Sequence, residues 1–344
     1  MNLEEVYYGT GKIIDTVDFS LLWDGFTPLR FAVYNEEECF FDGKFIPKTE
    51  AFMANTAIMY KGEYIAIWNV IEEIDLEVLA SKMIHEMFHA YQMNNKESRF
   101  PNELEALVKY NYSVENLSVK MEENRLISKL MENFNEADFE SLLSLRKYRL
   151  LNYEYEYRYE SAVEQIEGSA EYVELNALKQ ISEERYNLKI AGMLRRICDP
   201  KNCFPIRILS YSIGGLIFEL LKKNNLLSFE SFSHEAVTTS FLENALEYNG
   251  ELPFSSEIKA LIEDYNSATD QIIQQALLTN ECVLDGEYEL LGVNIYNARY
   301  YNGYIVSTYF VMFMRDGSES VLYGNFVIKL NAKNKIIKVY KIES

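Results

Sequence analysis

His85-Glu86-Met87-Phe88-His89 constrains this chain more than any other stretch. Residues four apart share one face of a helix, so two imidazoles there can grip one zinc ion while the carboxylate between them reaches a water on that ion. The chain has three histidines in 344 residues, and two of them sit in this string. Chance would produce that spacing around a Glu about a few times in a thousand, so the string is read as chemistry rather than as buried core. Its surroundings suit a helix. Asp75 is placed to cap it, Glu77 adds an acid to the first turn, and Leu76, Leu79, Ala80, Met83, Ile84 and Met87 recur at steps of three and four. The pattern predicts a helix from Asp75 to about Asn94 or Asn95, with both histidines near the stiff middle and Gln92 on the same side.

A catalytic zinc usually has three protein ligands and a water. With no cysteine or third histidine near the string, the remaining ligand is expected to be a carboxylate. Glu167-Gly168-Ser169-Ala170-Glu171 is the best source. It lies in a second helical pattern in which Glu160, Glu164, Glu167, Glu171 and Glu174 form one acidic stripe. The small Gly168 and Ala170 are expected to let this helix approach the histidine helix, which favours Glu167, with Glu164 and Glu160 as alternatives.

At these residues the chain resembles the gluzincin metallopeptidases, thermolysin-like and aminopeptidase-like, in which HExxH is followed on a later helix by a Glu ligand. The resemblance implies His85, His89 and Glu167 as ligands of one zinc ion and Glu86 as general base. It also implies Glu171 as the acid that braces a ligand histidine through its other nitrogen. Two departures stand out: Glu171 replaces the thermolysin-type Asp, and 78 positions separate His89 from Glu167, which requires a helical insertion over roughly 94–155. For oxyanion stabilisation, Tyr211 in Tyr211-Ser212-Ile213-Gly214 looks like a Tyr-x-x-Gly segment of some relatives, and His234 is the other candidate.

The rest of the sequence predicts an α+β fold: a domain over 1–279, β-rich with an N-terminal antiparallel sheet over 1–72 and helical over 73–279, which the resemblance implies is a zincin-like catalytic domain, then a small C-terminal antiparallel β-meander over 280–344. Strands are expected at Phe31–Tyr34, Thr56–Tyr60 and Glu63–Asn69, the last two joined by Lys61-Gly62. An edge strand beside the metal helix would offer its backbone to an extended peptide. Helix breaks are expected at Phe100-Pro101, Asn133 to Asn135, Asp199-Pro200, Phe204-Pro205, Asn224-Asn225 and Pro253. Beyond Asn280 the period becomes two, giving four strands over 288–296, 304–314, 320–330 and 335–340.

A formal charge of −20 disfavours nucleic acid and anionic lipid as partners. The start of the chain lacks a secretory pattern, and no apolar run is long enough to span a membrane, so a cytoplasmic protein is expected. Four scattered cysteines fit reduced, buried thiols. The function expected is hydrolysis of peptide or protein substrates by a zinc-activated water. The runners-up are a catalytically silent zincin-fold binding protein that captures a partner on its β-meander, and a helical interaction protein without metal.

Overall fold

In the computed structural model, which describes residues 2–227 and 237–342, the chain is α+β. It opens on a helix, which corrects the β-rich expectation for its first stretch. Helix α1 (Leu3–Ile14) starts at Asn2, whose side chain accepts from the Glu4 amide, and buries Leu3, Val6, Thr10 and Ile14 at helical spacing. The strands follow: β1 (Phe31–Tyr34), β2 (Glu38–Phe41), β3 (Lys44–Pro47), β4 (Thr56–Tyr60) and β5 (Glu63–Asn69). Lys61 and Gly62 both take positive φ, 50° and 90°, and close the β4–β5 hairpin with the two-residue turn expected of them.

The sheet order is β3-β2-β1-β5-β4, and it is mixed rather than antiparallel. Strands β1 and β5 run parallel, with Phe31 opposite Ala66 and Tyr34 opposite Asn69. Local pattern places strands but does not fix the direction in which distant ones pair. Edge strand β4 also packs against α2 (Leu76–Asn94), whose first turn is capped by Asp75 accepting from the Glu77 and Val78 amides at 3.0 and 3.3 Å.

The helical body continues through α3 (Glu103–Lys109), α4 (Val114–Glu132), α5 (Glu136–Asn152), α6 (Glu154–Ile181), α7 (Glu183–Cys198), α8 (Ile206–Lys223), α9 (Val237–Ser240) and α10 (Ser256–Thr279). Every expected break falls between helices. The longest helix, α6, lies between α2 and α8 and packs on both. The role expected for Gly168 is corrected: its bare Cα faces α8, where an added Cβ would stand 2.4 Å from the Gly214 Cα. Gly214 in turn meets the α6 backbone, its own absent Cβ falling 2.5 Å from the Glu164 carbonyl oxygen. Towards α2, the small residues that serve are Ala170, in the shared apolar core, and Ser169, which accepts from Gln92.

Asn280, at φ 53°, ends α10 and turns the chain into the C-terminal sheet. That sheet is antiparallel but has seven strands rather than four: β6 (Cys282–Val293), β7 (Arg299–Tyr301), β8 (Tyr304–Ser307), β9 (Phe310–Arg315), β10 (Ser318–Tyr323), β11 (Phe326–Leu330) and β12 (Ile336–Lys341), in the order β10-β9-β6-β12-β11-β8-β7. Two of the expected long strands are each divided, at Tyr309 (φ 70°) and at Gly324 (φ 137°). Among the described residues no helix is long and apolar enough to cross a membrane. All four cysteines are free; Cys39 and Cys203 are buried as expected, whereas Cys198 and Cys282 are exposed.

The α6–α8 crossing makes a contrast that melting curves can check. Gly168→Ala drives a methyl into backbone and is expected to destabilise by about 1–3 kcal/mol. Gly192→Ala, in α7 with its nearest neighbour 4.0 Å away, is expected to be neutral or to stabilise by up to about 1 kcal/mol. Equal melting temperatures for the two variants would contradict the close crossing.

Candidate metal centre

Helices α2 and α6 bring three ligand atoms to one point. The two Nε2 atoms of His85 and His89 are 3.1 Å apart, and Glu167 Oε2 lies 3.2 Å from His89 Nε2 and 3.9 Å from His85 Nε2. Tetrahedral zinc, with bonds of about 2.0–2.1 Å, separates its ligand atoms by about 3.3–3.4 Å, so this donor set fits such an ion with small adjustment. The site is nearly closed yet reachable, with 10, 12 and 14 % of the His85, His89 and Glu167 side chains exposed.

The outer nitrogens of the histidines are held from behind. Gln92 Oε1 lies 2.8 Å from His89 Nδ1. The amide can be oriented from its other contacts: Gln92 Nε2 donates to the Ile166 carbonyl and to Ser169 Oγ, both at 3.0 Å, while the Ser169 hydroxyl donates to Gln165. Gln92 Oε1 must therefore accept and His89 Nδ1 donates, so in the neutral ring the lone pair lies on Nε2, on the side of Glu167.

Behind His85 the structure corrects the expected residue. Glu174 Oε2 lies 3.2 Å from His85 Nδ1, off line for an ideal hydrogen bond, whereas Glu171 is spent on Lys189 at 2.9 Å. Helical geometry explains the exchange. Seven residues are almost two full turns, so Glu174 lies about 20° from the direction of Glu167, and Glu171 about 40° on the other side.

Burial presses both imidazoles towards neutrality, but the carboxylates prevail: Glu167 and Glu174 raise His85 well above its usual range, and Glu167 raises His89. Glu167 itself is held well below the carboxylate range, because His89, His85 and Arg207 outweigh its burial. Glu86 differs: burial pushes its pKa up, and among the described residues no cation or hydrogen-bond donor is paired with its carboxylate. Arg207 donates to Glu167 Oε1 at 2.9 Å and also pairs with Glu103. One guanidinium thus serves both Glu103 and Glu167, leaving one negative charge of the pair for protons on the imidazoles, or a divalent ion, to balance.

Tyr211 borders this cluster. Its ring lies 5.1 Å from the Arg207 guanidinium, and its hydroxyl is 3.5 Å from that of Tyr296, in the turn between β6 and β7. Burial first, and Glu167 second, raise its pKa, so it keeps a proton to donate. His234 lies outside the described residues.

The alternative ligands Glu160 and Glu164 are excluded from the metal point by partners of their own. Lys120 Nζ lies 2.8 Å from Glu160 and 3.0 Å from Glu164, Arg146 pairs with Glu164 at 2.5 Å, and Arg149 pairs with Glu160. All five side chains are fully or almost fully buried. The cations come from α4 and α5, so the segment between His89 and Glu167 neutralises the upstream end of the acidic stripe. Arg207, Glu103 and Lys189 have no local signal in the sequence; Glu174 enters there only as a member of the acidic stripe, although its seven-residue spacing from Glu167 marks its direction. No family model, no curated protein and no solved structure matches this chain.

The buried network has a pH signature. Burial raises the pKa of Glu160, but Arg149 and Lys120 outweigh it and bring it from 4.5 to about 2. Its stabilising contribution is complete above the unfolded-state value and is lost as pH falls through the folded value. Denaturant titrations from pH 7 to pH 2 should show wild type losing stability below about pH 4.5. Glu160→Gln should be less stable at pH 7 and lose less over that acid range; an unchanged acid slope would contradict the pairing.

Proposed function

We propose that the protein is a zinc-dependent peptidase, in which His85, His89 and Glu167 hold the ion and Glu86 is the general base. The observation that carries this reading is the convergence of two imidazole nitrogens and one carboxylate oxygen, with an unpaired, buried carboxylate on the histidine helix itself. A purely structural metal site has no need of that carboxylate. Zinc bound there would polarise the scissile carbonyl and lower the pKa of a water.

Glu86 takes the proton of the attacking water and returns it to the leaving amine, so the peptide is cut without an acyl-enzyme. Its raised pKa brings it nearer neutrality, where an acceptor can also give the proton back. Tyr211 supplies an O–H to the carbonyl oxygen as negative charge gathers on it. Gln92 and Glu174 keep the two rings aimed, and Arg207 holds Glu167 by its second oxygen. Strand β4, a free sheet edge packed on α2, offers backbone groups along which an extended peptide can lie. The resemblance to gluzincins agrees with this assignment.

Purified wild type should carry one zinc per chain by elemental analysis, and His85→Ala and Glu167→Ala should carry none. Zinc-loaded wild type should cleave members of a mixed peptide library. Glu86→Gln should keep its zinc and lose activity by a factor of about 10² or more. Bound zinc with no cleavage above that of Glu86→Gln would instead favour the silent binding protein.

A further inference from the structure

Resting on the zinc reading above, we propose that Lys189 is a positioning residue for His85, acting through Glu174. Lys189 reaches from α7 to the side of α6 that backs onto His85. Its ammonium lies 2.5 Å from Glu174 Oε1 and 2.9 Å from Glu171 Oε2. The other oxygen of Glu174 is the one 3.2 Å from His85 Nδ1. One carboxylate therefore spans the lysine and the imidazole, with a separate oxygen for each.

The arrangement has a physical logic. A glutamate side chain has three rotatable bonds, and a single contact to an imidazole leaves it free to swing. The ammonium ties down the far oxygen, and Glu171 on the adjacent turn fixes the ammonium. Glu174 is buried, and an anion there needs a fixed positive neighbour. Lys189 provides it, which holds a Glu174 oxygen beside His85 Nδ1 and leaves Nε2 as the atom turned towards the ion. The arrangement mirrors the far side of the site, where Ser169 and the Ile166 carbonyl orient Gln92, which orients His89. Each ligand histidine is thus braced two residues deep.

Chelator competition tests this by the zinc affinity of wild type, Lys189→Met, Lys189→Arg, Glu174→Gln and the double variant Glu174→Gln with Lys189→Met. Lys189→Met should bind zinc about 10- to 100-fold more weakly than wild type. Lys189→Arg, which keeps a fixed cation, should recover most of that loss. In the Glu174→Gln background Lys189→Met should cause little further loss, because the path through Glu174 is already cut. Undiminished affinity in Lys189→Met, or an equal loss in the Glu174→Gln background, would overturn the assignment. So would a metal-free Lys189→Met that does not fold while Lys189→Arg folds but binds zinc poorly. The readout is affinity, so a wild type that binds zinc but cuts no peptide would reject only the peptidase reading; one that binds no zinc would reject both.

Discussion

A helix that carries five carboxylates on one stripe, three of them buried and two partly so, can fold only if each meets positive charge, because removing an ion from water costs several kcal/mol unless a partner offsets it. Helix α6 meets this demand in three stretches. Upstream, Glu160 and Glu164 are matched by Lys120, Arg146 and Arg149, which are permanently charged. Downstream, Glu171 and Glu174 share Lys189. In the middle, Glu167 faces two imidazoles and an arginine that it shares with Glu103. Only there is the compensation exchangeable, since an imidazole gives up its proton readily and a divalent ion can take its place.

The packing follows from where those cations must stand. The cations for the upstream acids come from α4 and α5, inserted between the two halves of the site, and the lysine for the downstream pair comes from α7. The glycine contact between α6 and α8 brings Arg207 to the second oxygen of Glu167. The turn between β6 and β7 reaches the same corner through Tyr296, whose ring lies 5.9 Å from the Arg207 guanidinium. Scaffold and site are thus joined through a few charged side chains, and the apolar core on either side of α6 excludes water from them.

Much of this was legible in the residues. Strands β1, β4 and β5 and the turn at Lys61-Gly62 were readable because short-range pattern and turn chemistry agree there. The convergence of His85 and His89 was readable because helical spacing is rigid enough to turn position into geometry, whereas Glu167 was favoured over Glu160 and Glu164 by small neighbours, of which Gly168 in fact faces α8. Partners distant in sequence were not. The parallel pairing of β1 with β5, the cations gathered on Glu160 and Glu164, and the Arg207 bridge all join elements whose meeting no local pattern encodes. The family resemblance points to Glu171, although the helical angle alone favours Glu174. The helix at 3–14 has only a short local signature, the cap at Asn2 and the buried face of Leu3, Val6, Thr10 and Ile14.

The convergence of His85, His89 and Glu167 on one ion is tested by a crystal structure of the zinc-soaked protein with data collected on both sides of the zinc absorption edge. One strong anomalous peak is expected about 2.0–2.2 Å from His85 Nε2, His89 Nε2 and Glu167 Oε2, with Glu174 still beside His85 Nδ1. A peak elsewhere, or histidine rings turned away from a common point, would contradict it.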